Sequence, residues 1–539
     1  MTLYQPIKES IQLVTTPTNH PKSVLMSSKN TNWDDFLLNI HCMSQLRFIM
    51  FLVSIFVCFA VVFTTLFVIP CEWSNCISPR KVKLIWSDSI FNDIELKGKP
   101  SIIELNQKLL HLVFIVRGSI LNSPNVPPRT ERFPSIGGGL LQIDTMTGKE
   151  MWRKRLDPLP DKIDCTLLNN QFKENSEVYC IVGSSNGNLL GVVSSSKNKG
   201  ELIWKQTKGR TDSSNTKLYK KNDIVYMEFP VIIPDCNSDG INEMALVQHI
   251  NNVPTLVIVS GKSGKEMISS INNNNCTKMT DLILNYDMSL VYYCHKNSGA
   301  DPLRLETVQI KTILNCSGDW IPNSVHQTKR EHDQSEENQY SITVGHYRLN
   351  VINSHYDCPT KCKVVLNVTN SSGETVWSKN IDRSYVMKPV TFELRNNISG
   401  FVIKIWYWDN KTNIGNNIKL SKMEKMSNIH EQVLVIMYNS SRTEDFHVKN
   451  ISSNAMFQVC ESEFNCQPKL EYQKYSLNVM DINNDGYRDL VSVFVTFKFI
   501  NSLGQHFVND TASLQLMSKV NVYELEEHLI QDFENEIFV

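Results

Sequence analysis

The chain has almost no excess of charge of either sign. Its 54 Lys and Arg residues are balanced by 55 Asp and Glu residues, which leaves a net charge of −1 at pH 7. A protein whose main task is to bind nucleic acid usually carries a basic face, so the balance argues against a nucleic-acid partner. Hydrophobic residues make up 41 % of the 539 residues and charged residues 20 %, a composition that favours a folded chain over global disorder.

Several catalytic signatures are also lacking. The sequence has no H-E-x-x-H helix motif and no G-x-x-x-x-G-K-[ST] phosphate loop. The glycines at 137–139 lead into a strand pattern, without the helix that a phosphate site requires. The histidines are scattered and do not form a ligand pattern. These absences favour a protein without enzymatic activity.

A single stretch has the length and composition of a membrane span. Residues 48–69 contain 22 residues without a charge, enough to cross a hydrocarbon core of about 30 Å at about 1.5 Å per residue. Arg47 precedes the stretch, and Pro70 follows it. A buried core helix is disfavoured because the stretch has no polar stripe, and a cleaved signal peptide is disfavoured because 47 residues precede it. The sequence predicts a tail at 1–47, a transmembrane signal anchor at 48–69, an ectodomain at 70–525 and an acidic C-terminal tail at 526–539.

The cysteines indicate which side of the membrane the ectodomain occupies. Two cysteines lie in or before the span, and an even number, twelve, follow it. Several stand at the two ends of hairpin-like segments or in close pairs, which favours disulfides and an oxidising compartment. The expected pairs are Cys165–Cys180, Cys276–Cys294, Cys71–Cys76, Cys358–Cys362 and Cys460–Cys466, which leave Cys236 and Cys316. We therefore expect a type II protein of the cell surface or secretory pathway.

Glycosylation sequons also follow the span, and none precedes it. The basic residues on the two sides of the span do not settle the orientation. The expected glycosylation sites are Asn275, Asn315, Asn367, Asn370, Asn397, Asn410, Asn439, Asn450 and Asn509.

The ectodomain consists of short β-type runs separated by turn signals. A degenerate repeat joins a β run, a turn with a glycine and an apolar residue, usually Trp, four positions later. It occurs at 138–152, 187–204, 255–268 and 364–377, with turn glycines Gly148, Gly200, Gly264 and Gly373. Strands with a period of roughly 50–60 residues are typical of β-propeller blades. We expect an all-β propeller of seven or eight blades, in which the tryptophans pack between blades.

Two acidic loops have the spacing of a calcium site. Residues 235–243 read DCNSDGINE and residues 481–489 read DINNDGYRD, each between strand-like flanks. Calcium prefers six to eight hard oxygen ligands. The alternative is an Asx-rich turn without a metal. The expected ligands are Asp481, Asn483, Asp485, Asp489 and the Tyr487 carbonyl, and Asp235, Asn237, Asp239, Glu243 and the Ile241 carbonyl. The second loop is the better match, because the first has Glu243 at position 9 and Cys236 within it.

The strand, T-G-K turn and Trp at 138–152 resemble the quinoprotein-like propeller repeat, and the acidic loops resemble the FG-GAP repeats of integrin α-subunits. Together with the anchor, these features resemble the integrin-alpha FG-GAP-repeat-containing type II proteins, the family with sequence similarity 234. The resemblance implies a non-enzymatic surface propeller.

Two functions remain after this comparison. The first is a membrane glycoprotein whose calcium-binding propeller is an interaction module for a protein or glycan. The alternative is a quinoprotein-like enzyme or an accessory scaffold of the secretory pathway. The chain has no adjacent cysteines of the kind that quinone enzymes place over their cofactor.

Overall fold

The structure, a computed structural model, is described for part of the chain. The described residues are 45–63, 84–86, 89–106, 109–122, 135, 137–157, 159–166, 168, 178–184, 189–194, 200–207, 229–250, 253–268, 271–272, 276–285, 287–295, 304–314, 339–354, 362–409, 425–439, 442–462, 465–500, 513–526 and 529. The chain divides into two compact units, residues 1–80 and residues 81–539.

The first unit contains helix α1, Gln45–Phe63. Large apolar side chains are exposed along it, among them Phe56 at 75 % and Phe59 at 71 %. Among the described residues, no helix has the length and apolar character needed to cross a membrane. The span predicted at 48–69 runs past the end of α1 into residues outside the described part.

The second unit is built almost entirely of antiparallel strands, as the alternation of β-type runs and turns predicts. Its 31 described strands form seven sheets, here called sheets I to VII. Strands β1 and β2, Leu84–Trp86 and Ile90–Asn92, come first and belong to sheet VII. Sheet I contains β3 Glu95–Leu96, β4 Ser101–Asn106, β5 Leu109–Arg117, β6 Gly138–Asp144 and β7 Glu150–Leu156. Sheet II contains β8 Lys162–Asp164, β9 Tyr179–Gly183, β10 Leu189–Ser194 and β11 Glu201–Thr207. Sheet III contains β12 Val231–Ile233, β13 Glu243–Ile250, β14 Val253–Val259 and β15 Ile271–Asn272.

The remaining sheets follow in chain order. Sheet IV contains β16 Lys278–Leu284, β17 Ser289–His295 and β18 Arg304–Gln309. Sheet V contains β19 Gln339–Val344, β20 Tyr347–Ser354, β21 Lys363–Thr369 and β22 Thr375–Asp382. Sheet VI contains β23 Ser384–Val386, β24 Val390–Glu393, β25 Ile398–Trp408, β26 Lys425–Asn439, β27 Arg442–Ser462 and β28 Asn465–Gln467. Sheet VII adds β29 Leu477–Met480, β30 Asp489–Ile500 and β31 Ser513–Glu524. Two short helices connect strands, α2 Ile310–Leu314 and α3 Leu470–Gln473.

Most sheets that are neighbours in the chain share a hydrophobic core. Clusters of buried apolar residues join sheets I and II, II and III, III and IV, V and VI, and VI and VII. A further cluster joins sheet VII to sheet I, where Val493 and Phe114 are fully buried together. Stacking of this kind buries apolar side chains between the sheets.

The two ends of the second unit meet in sheet VII. Strands β1 and β2, from the start of the unit, both pair antiparallel with β31 near its end. Successive meander sheets with shared cores, and a last sheet built from both ends, agree with a β-propeller.

The predicted repeat corresponds to the last hairpins of several sheets. The segments at 138–152, 187–204 and 364–377 fall on β6–β7, β10–β11 and β21–β22. The four turn glycines all have positive φ, from 52° at Gly200 to 84° at Gly373, which is the conformation that glycine adopts most easily.

The tryptophans pack between sheets, as the repeat predicts. A Cβ placed on Gly200 of sheet II would meet the ring of Trp152 in sheet I. A Cβ on Gly264 of sheet III would lie 2.5 Å from Cδ2 of Trp204 in sheet II. The Trp204 indole also donates a 2.8 Å hydrogen bond to the Gly261 carbonyl. Each of these glycines therefore makes room for the tryptophan of the preceding sheet.

Candidate calcium loops and disulfides

Both acidic loops connect two antiparallel strands of one sheet. The first joins β12 to β13, and Ile233 pairs with Glu243 at its base. The second joins β29 to β30, and Met480 pairs with Asp489 at its base. Each loop therefore connects two adjacent strands of its sheet, in the strand–loop–strand frame that the sequence predicts.

The first loop folds around the carboxylate of its first residue. Oδ2 of Asp235 accepts from the Gly240 amide at 2.7 Å, and Oδ1 accepts from the Asp239 amide at 3.2 Å. Oδ1 of Asn237 accepts from the same Asp239 amide at 2.9 Å. Ser238 and Gly240 have positive φ, 61° and 87°. These Asx-type hydrogen bonds hold the loop in a tight turn.

The second loop repeats this arrangement position by position. Oδ2 of Asp481 accepts from the Gly486 amide at 2.8 Å, and Oδ1 accepts from the Asp485 amide at 3.1 Å. Oδ1 of Asn483 accepts from Asp485 at 3.1 Å. Asn484 and Gly486 have φ of 57° and 85°. The two loops thus share hydrogen bonds and backbone conformation, although they lie in different sheets.

In the first loop, the acid at position 9 is Glu243, which is fully buried. Its Oε2 accepts from the Gly261 amide at 3.3 Å, while Oε1 is buried without a hydrogen-bond partner in the described part of the chain. Burial, with smaller contributions from Asp239 and Asp235, raises the pKa of Glu243 to about 7. An unsatisfied buried carboxylate oxygen beside two further carboxylates is an environment that a cation would stabilise.

In the second loop, position 9 is Asp489, which is 1 % exposed. Its Oδ2 accepts from the Ile482 amide at 3.1 Å. Burial, followed by the negative charges of Asp485, Asp481 and Glu524, raises the pKa of Asp489 to about 7. Hydrogen bonding to Ile482 acts in the opposite direction and is too weak to offset burial.

The donors fit a hard cation in kind. Each loop supplies side-chain oxygens at positions 1, 3, 5 and 9, all of types that calcium prefers. Within the described residues, however, no group of three or more His, Cys, Asp and Glu side chains is placed so that it could hold a metal ion. Convergence of the ten expected ligands on calcium therefore stays a prediction.

One contact at the second loop has no signal in the sequence. Arg395, which lies between β24 and β25 in sheet VI, donates a 2.6 Å hydrogen bond to the Gly486 carbonyl. Its guanidinium lies 4.5 Å from the centre of the Tyr487 ring. The Arg395 amide donates at 3.0 Å to Glu526, which is 2 % exposed. Sheet VI thus braces a loop of sheet VII through residues that lie far apart in the chain.

Three of the predicted disulfides are confirmed. Cys165–Cys180, Cys276–Cys294 and Cys460–Cys466 are bonded. Cys236 and Cys362 are also disulfide-bonded, while Cys316, Cys358, Cys71 and Cys76 lie outside the described residues. Cys58 on α1 is a free, exposed cysteine.

Five of the nine expected glycosylation sites are described. Asn397 and Asn450 are exposed, and Asn367, Asn370 and Asn439 are half-buried. Asn275, Asn315, Asn410 and Asn509 lie outside the described part. The exposed pair would accept a glycan without unfolding of the strands around it.

We expect no G-x-S-x-G nucleophile elbow from the sequence, although GSSNG at 183–187 fits the spacing of that hydrolase motif. Residue Gly183 ends β9, and the next described strand, β10, pairs antiparallel with it. A nucleophile elbow leads from a strand into a helix. The elements that the structure describes before and after this segment are strands β9 and β10, whereas a nucleophile elbow is followed by a helix.

Comparison with known proteins gives one family match. Residues 106–299, from the last residue of β4 through β17, match the family model described as FAM234A/B beta-propeller. The match supports the family resemblance and a β-propeller; it does not extend to the FG-GAP or quinoprotein-like features. No curated protein sequence gives a significant match.

Several solved structures resemble the chain distantly. The biofilm matrix protein Bap1 of V. cholerae is 10 % identical, with 83 % of this chain and 71 % of that chain covered and a TM-score of 0.23. A DUF4221 member from Bacteroides vulgatus is 12 % identical over 60 % of this chain and 92 % of that chain, with a TM-score of 0.23. An exo-β-1,3-galactanase from Phanerochaete chrysosporium is 8 % identical over 80 % and 100 %, with a TM-score of 0.21. Scores this low carry no argument about function.

Proposed function

We propose that this chain is a non-enzymatic, single-pass type II membrane glycoprotein whose calcium-binding β-propeller is an extracellular or lumenal interaction module for a protein or glycan. The observation that carries the proposal is the set of three disulfides within the propeller sheets. Disulfides persist in the secretory pathway and outside the cell and are rare in the cytosol.

The proposed anchor is the apolar stretch 48–69. It is supported by its 22 uncharged residues and by the exposed apolar side chains of α1, such as Ile49 and Met50 at 55 % and 64 %. Such side chains are stabilised by lipid and not by water. In the proposed topology, residues 1–47 are cytosolic and the seven sheets are the blades of the lumenal or extracellular propeller.

The proposed calcium has a structural role. Three carboxylates at the second loop, those of Asp481, Asp485 and Asp489, repel one another, and burial of Asp489 adds to the cost. A bound calcium ion supplies the opposite charge and stabilises the hairpin. At extracellular calcium of about 1 mM, a site with a dissociation constant near 10⁻⁴ M is about 90 % occupied and adds roughly 1.4 kcal/mol.

Topology is tested on the full-length protein expressed in eukaryotic cells. Removal of N-glycans with a glycosidase should increase the electrophoretic mobility of the wild type. Asn450→Gln should remove one glycan, whereas Asn454→Gln, on the same strand but outside any sequon, should change nothing. Wild-type protein that carries no N-glycan would contradict the proposed orientation.

Calcium is tested separately by thermal unfolding and calorimetry. A chelator should lower the melting temperature of the wild type, and Asp485→Ala should lower it in calcium and weaken the response to chelator. Asp239→Ala should do less, because its loop is the poorer match, and Asp382→Ala, an exposed residue at the end of β22, is the control. An unchanged melting curve together with no heat of calcium binding would show that the loops are plain turns.

A further inference from the structure

Six cationic side chains surround two tyrosines on the segment that joins sheets VI and VII. Lys97, Arg117 and Lys469 lie 5.3, 5.2 and 5.7 Å from the centre of the Tyr472 ring. Lys99, Lys388 and Lys474 lie 6.0, 5.5 and 5.6 Å from the centre of the Tyr475 ring. Tyr472 lies on α3, and Tyr475 lies between α3 and β29.

The fold fixes this segment between two other sheets. The Gly98 amide of sheet I donates to the Tyr472 carbonyl at 2.7 Å, and the Lys388 amide of sheet VI donates to the Lys474 carbonyl at 2.9 Å. Gly98 permits the close approach, because a Cβ there would lie 2.6 Å from the backbone of Ser476. Lys99 of sheet I and Lys388 of sheet VI therefore both lie near the ring of Tyr475.

The cations around Tyr472 have acidic partners. Lys97 pairs with Asp161 at 2.9 Å, and Lys469 pairs with Glu471 at 2.6 Å. Arg117 pairs with the buried Glu95 at 2.8 Å. This half of the cluster is balanced in charge, and Tyr472 is itself buried. The balance is typical of a structural contact between sheets.

The cations around Tyr475 are arranged differently. Lys99 and Lys474 form no ion pair with any acidic group of the described residues, and Lys99 is exposed. All three ammonium groups lie within 6.0 Å of one ring centre, so any two of them lie within twice that distance of each other. The half-buried Tyr475 is therefore bordered by three lysines, and two of them, Lys99 and Lys474, have no acidic partner among the described residues.

The chain also carries an unused hydroxyl beside this cluster. Oγ of Ser476 is buried and has no hydrogen-bond partner in the described part of the chain. A hydroxyl donates readily to an anionic oxygen. Lys474 additionally lies 5.4 Å from the ring of Tyr340 in sheet V, so sheets I, V, VI and VII all border the same place.

We propose that the Tyr475 cluster, formed by Lys99, Lys388, Lys474 and Tyr475, binds a multivalent oxyanion of the sulfate or phosphate class. Lysine binds such groups as a point charge, and an oxyanion beside this ring is attracted by the ammonium groups that border it. This proposal rests on the proposed function, because it takes the propeller to be a binding module, and it adds the chemical class of the ligand. The competing arrangement is one in which lysine stems only cover the tyrosine ring while their charges stay in water.

The test measures binding of two probes to the purified full-length protein by titration calorimetry. Pyrophosphate represents a phosphate source and a sulfated disaccharide represents a sulfated glycan. Binding of either probe is expected at about 50 mM salt, and weaker binding is expected at about 300 mM. Whichever probe binds more tightly identifies the source of the oxyanion.

Matched variants separate this site from general attraction of anions. K99Q/K388Q/K474Q should weaken binding by roughly tenfold or more. K154Q/K363Q/K379Q, which removes the same charge from strands β7, β21 and β22 of sheets I and V, should leave binding unchanged.

Two further variants keep the test decisive if the triple variant does not fold. K99Q alone and K474Q alone should each weaken binding at an unchanged melting temperature. Failure of both probes to bind the wild type, or equal binding by the two triple variants, would overturn the proposal. Because neither measurement depends on glycans or calcium, failure of the topology or calcium test leaves this result standing.

Discussion

The packing of Trp204 against the turn glycine of the next sheet can be tested at Gly264. Gly264→Ala introduces a methyl group where the structure has φ of 67° and the ring of Trp204 only 2.5 Å from the new atom. The alanine must adopt a left-handed conformation, and the indole must move. A ring that moves also strains its hydrogen bond to the Gly261 carbonyl.

The magnitude follows from these two effects. The left-handed conformation costs an alanine about 1–2 kcal/mol relative to glycine. Overpacking against a ring in a packed core costs about 1–3 kcal/mol more. Gly264→Ala should therefore lower the free energy of unfolding by about 2–5 kcal/mol. With an unfolding entropy of about 2.1 cal/mol/K per residue, a unit the size of residues 81–539 loses roughly 1 °C of melting temperature per kcal/mol.

The matched control is Gly373→Ala in sheet V. Gly373 occupies the same place in the repeat with φ of 84°, but a Cβ there has no atom within 4 Å. This variant should lose only the backbone contribution, about 1–2 kcal/mol.

Differential scanning calorimetry of the two variants, and of Gly264→Ala combined with Trp204→Ala, measures the difference. In the Trp204→Ala background, the cost of Gly264→Ala should fall to that of Gly373→Ala, since the clash is absent. Equal costs for the two single variants, or an unchanged cost without Trp204, would refute the packing argument.

Two other predictions concern the loops and the disulfides. In chelator, the pKa of Glu243 is about 7 in the folded state against 4.5 in the unfolded chain. The contribution of this raised pKa to the free energy of unfolding is therefore full below pH 4.5. It is lost as pH rises through 7, by up to about 3 kcal/mol. Thermal unfolding between pH 5 and pH 8 should show this slope in the wild type and in the exposed control Glu266→Gln but less of it in Glu243→Gln; a flat wild-type profile would contradict it. Replacing both Cys276 and Cys294 by Ser should lower the free energy of unfolding by about 3 kcal/mol on the loop-entropy model, whereas Cys58→Ser should leave the unfolding midpoint unchanged. Non-reducing peptide mapping that finds Cys276 and Cys294 as free thiols would contradict the pairing.

Local patterns predicted the parts of the fold that depend on neighbouring residues. The sequence predicts the turn glycines, the hairpin disulfides and both acidic loops, because each of these features lies within about 20 consecutive residues. The structure confirms the repeat at 138–152 as the β6–β7 hairpin and the loop at 481–489 as the β29–β30 connection. Such features do not depend on which sheets pack against each other.

Features that depend on distant residues could not be predicted in this way. Arg395 braces the loop at Gly486 from another sheet, and the Tyr475 cluster joins Lys99 to residues almost 400 positions later. No periodicity in the sequence predicts these contacts, because they depend on which sheets pack against each other.

Because β1 pairs with β31, the second unit cannot complete sheet VII until nearly the whole chain has been synthesised. Leu84 pairs with Tyr523, so more than 400 residues must be made before β1 meets its partner. At about 5–20 residues per second, the ribosome needs roughly 20–90 s for that stretch. Throughout this interval the β1 and β2 segments, and the face of sheet I that packs on sheet VII, lack their native cover. An unpaired strand edge of this kind is a template for pairing with other chains, so the nascent chain exposes this template until its last strand emerges.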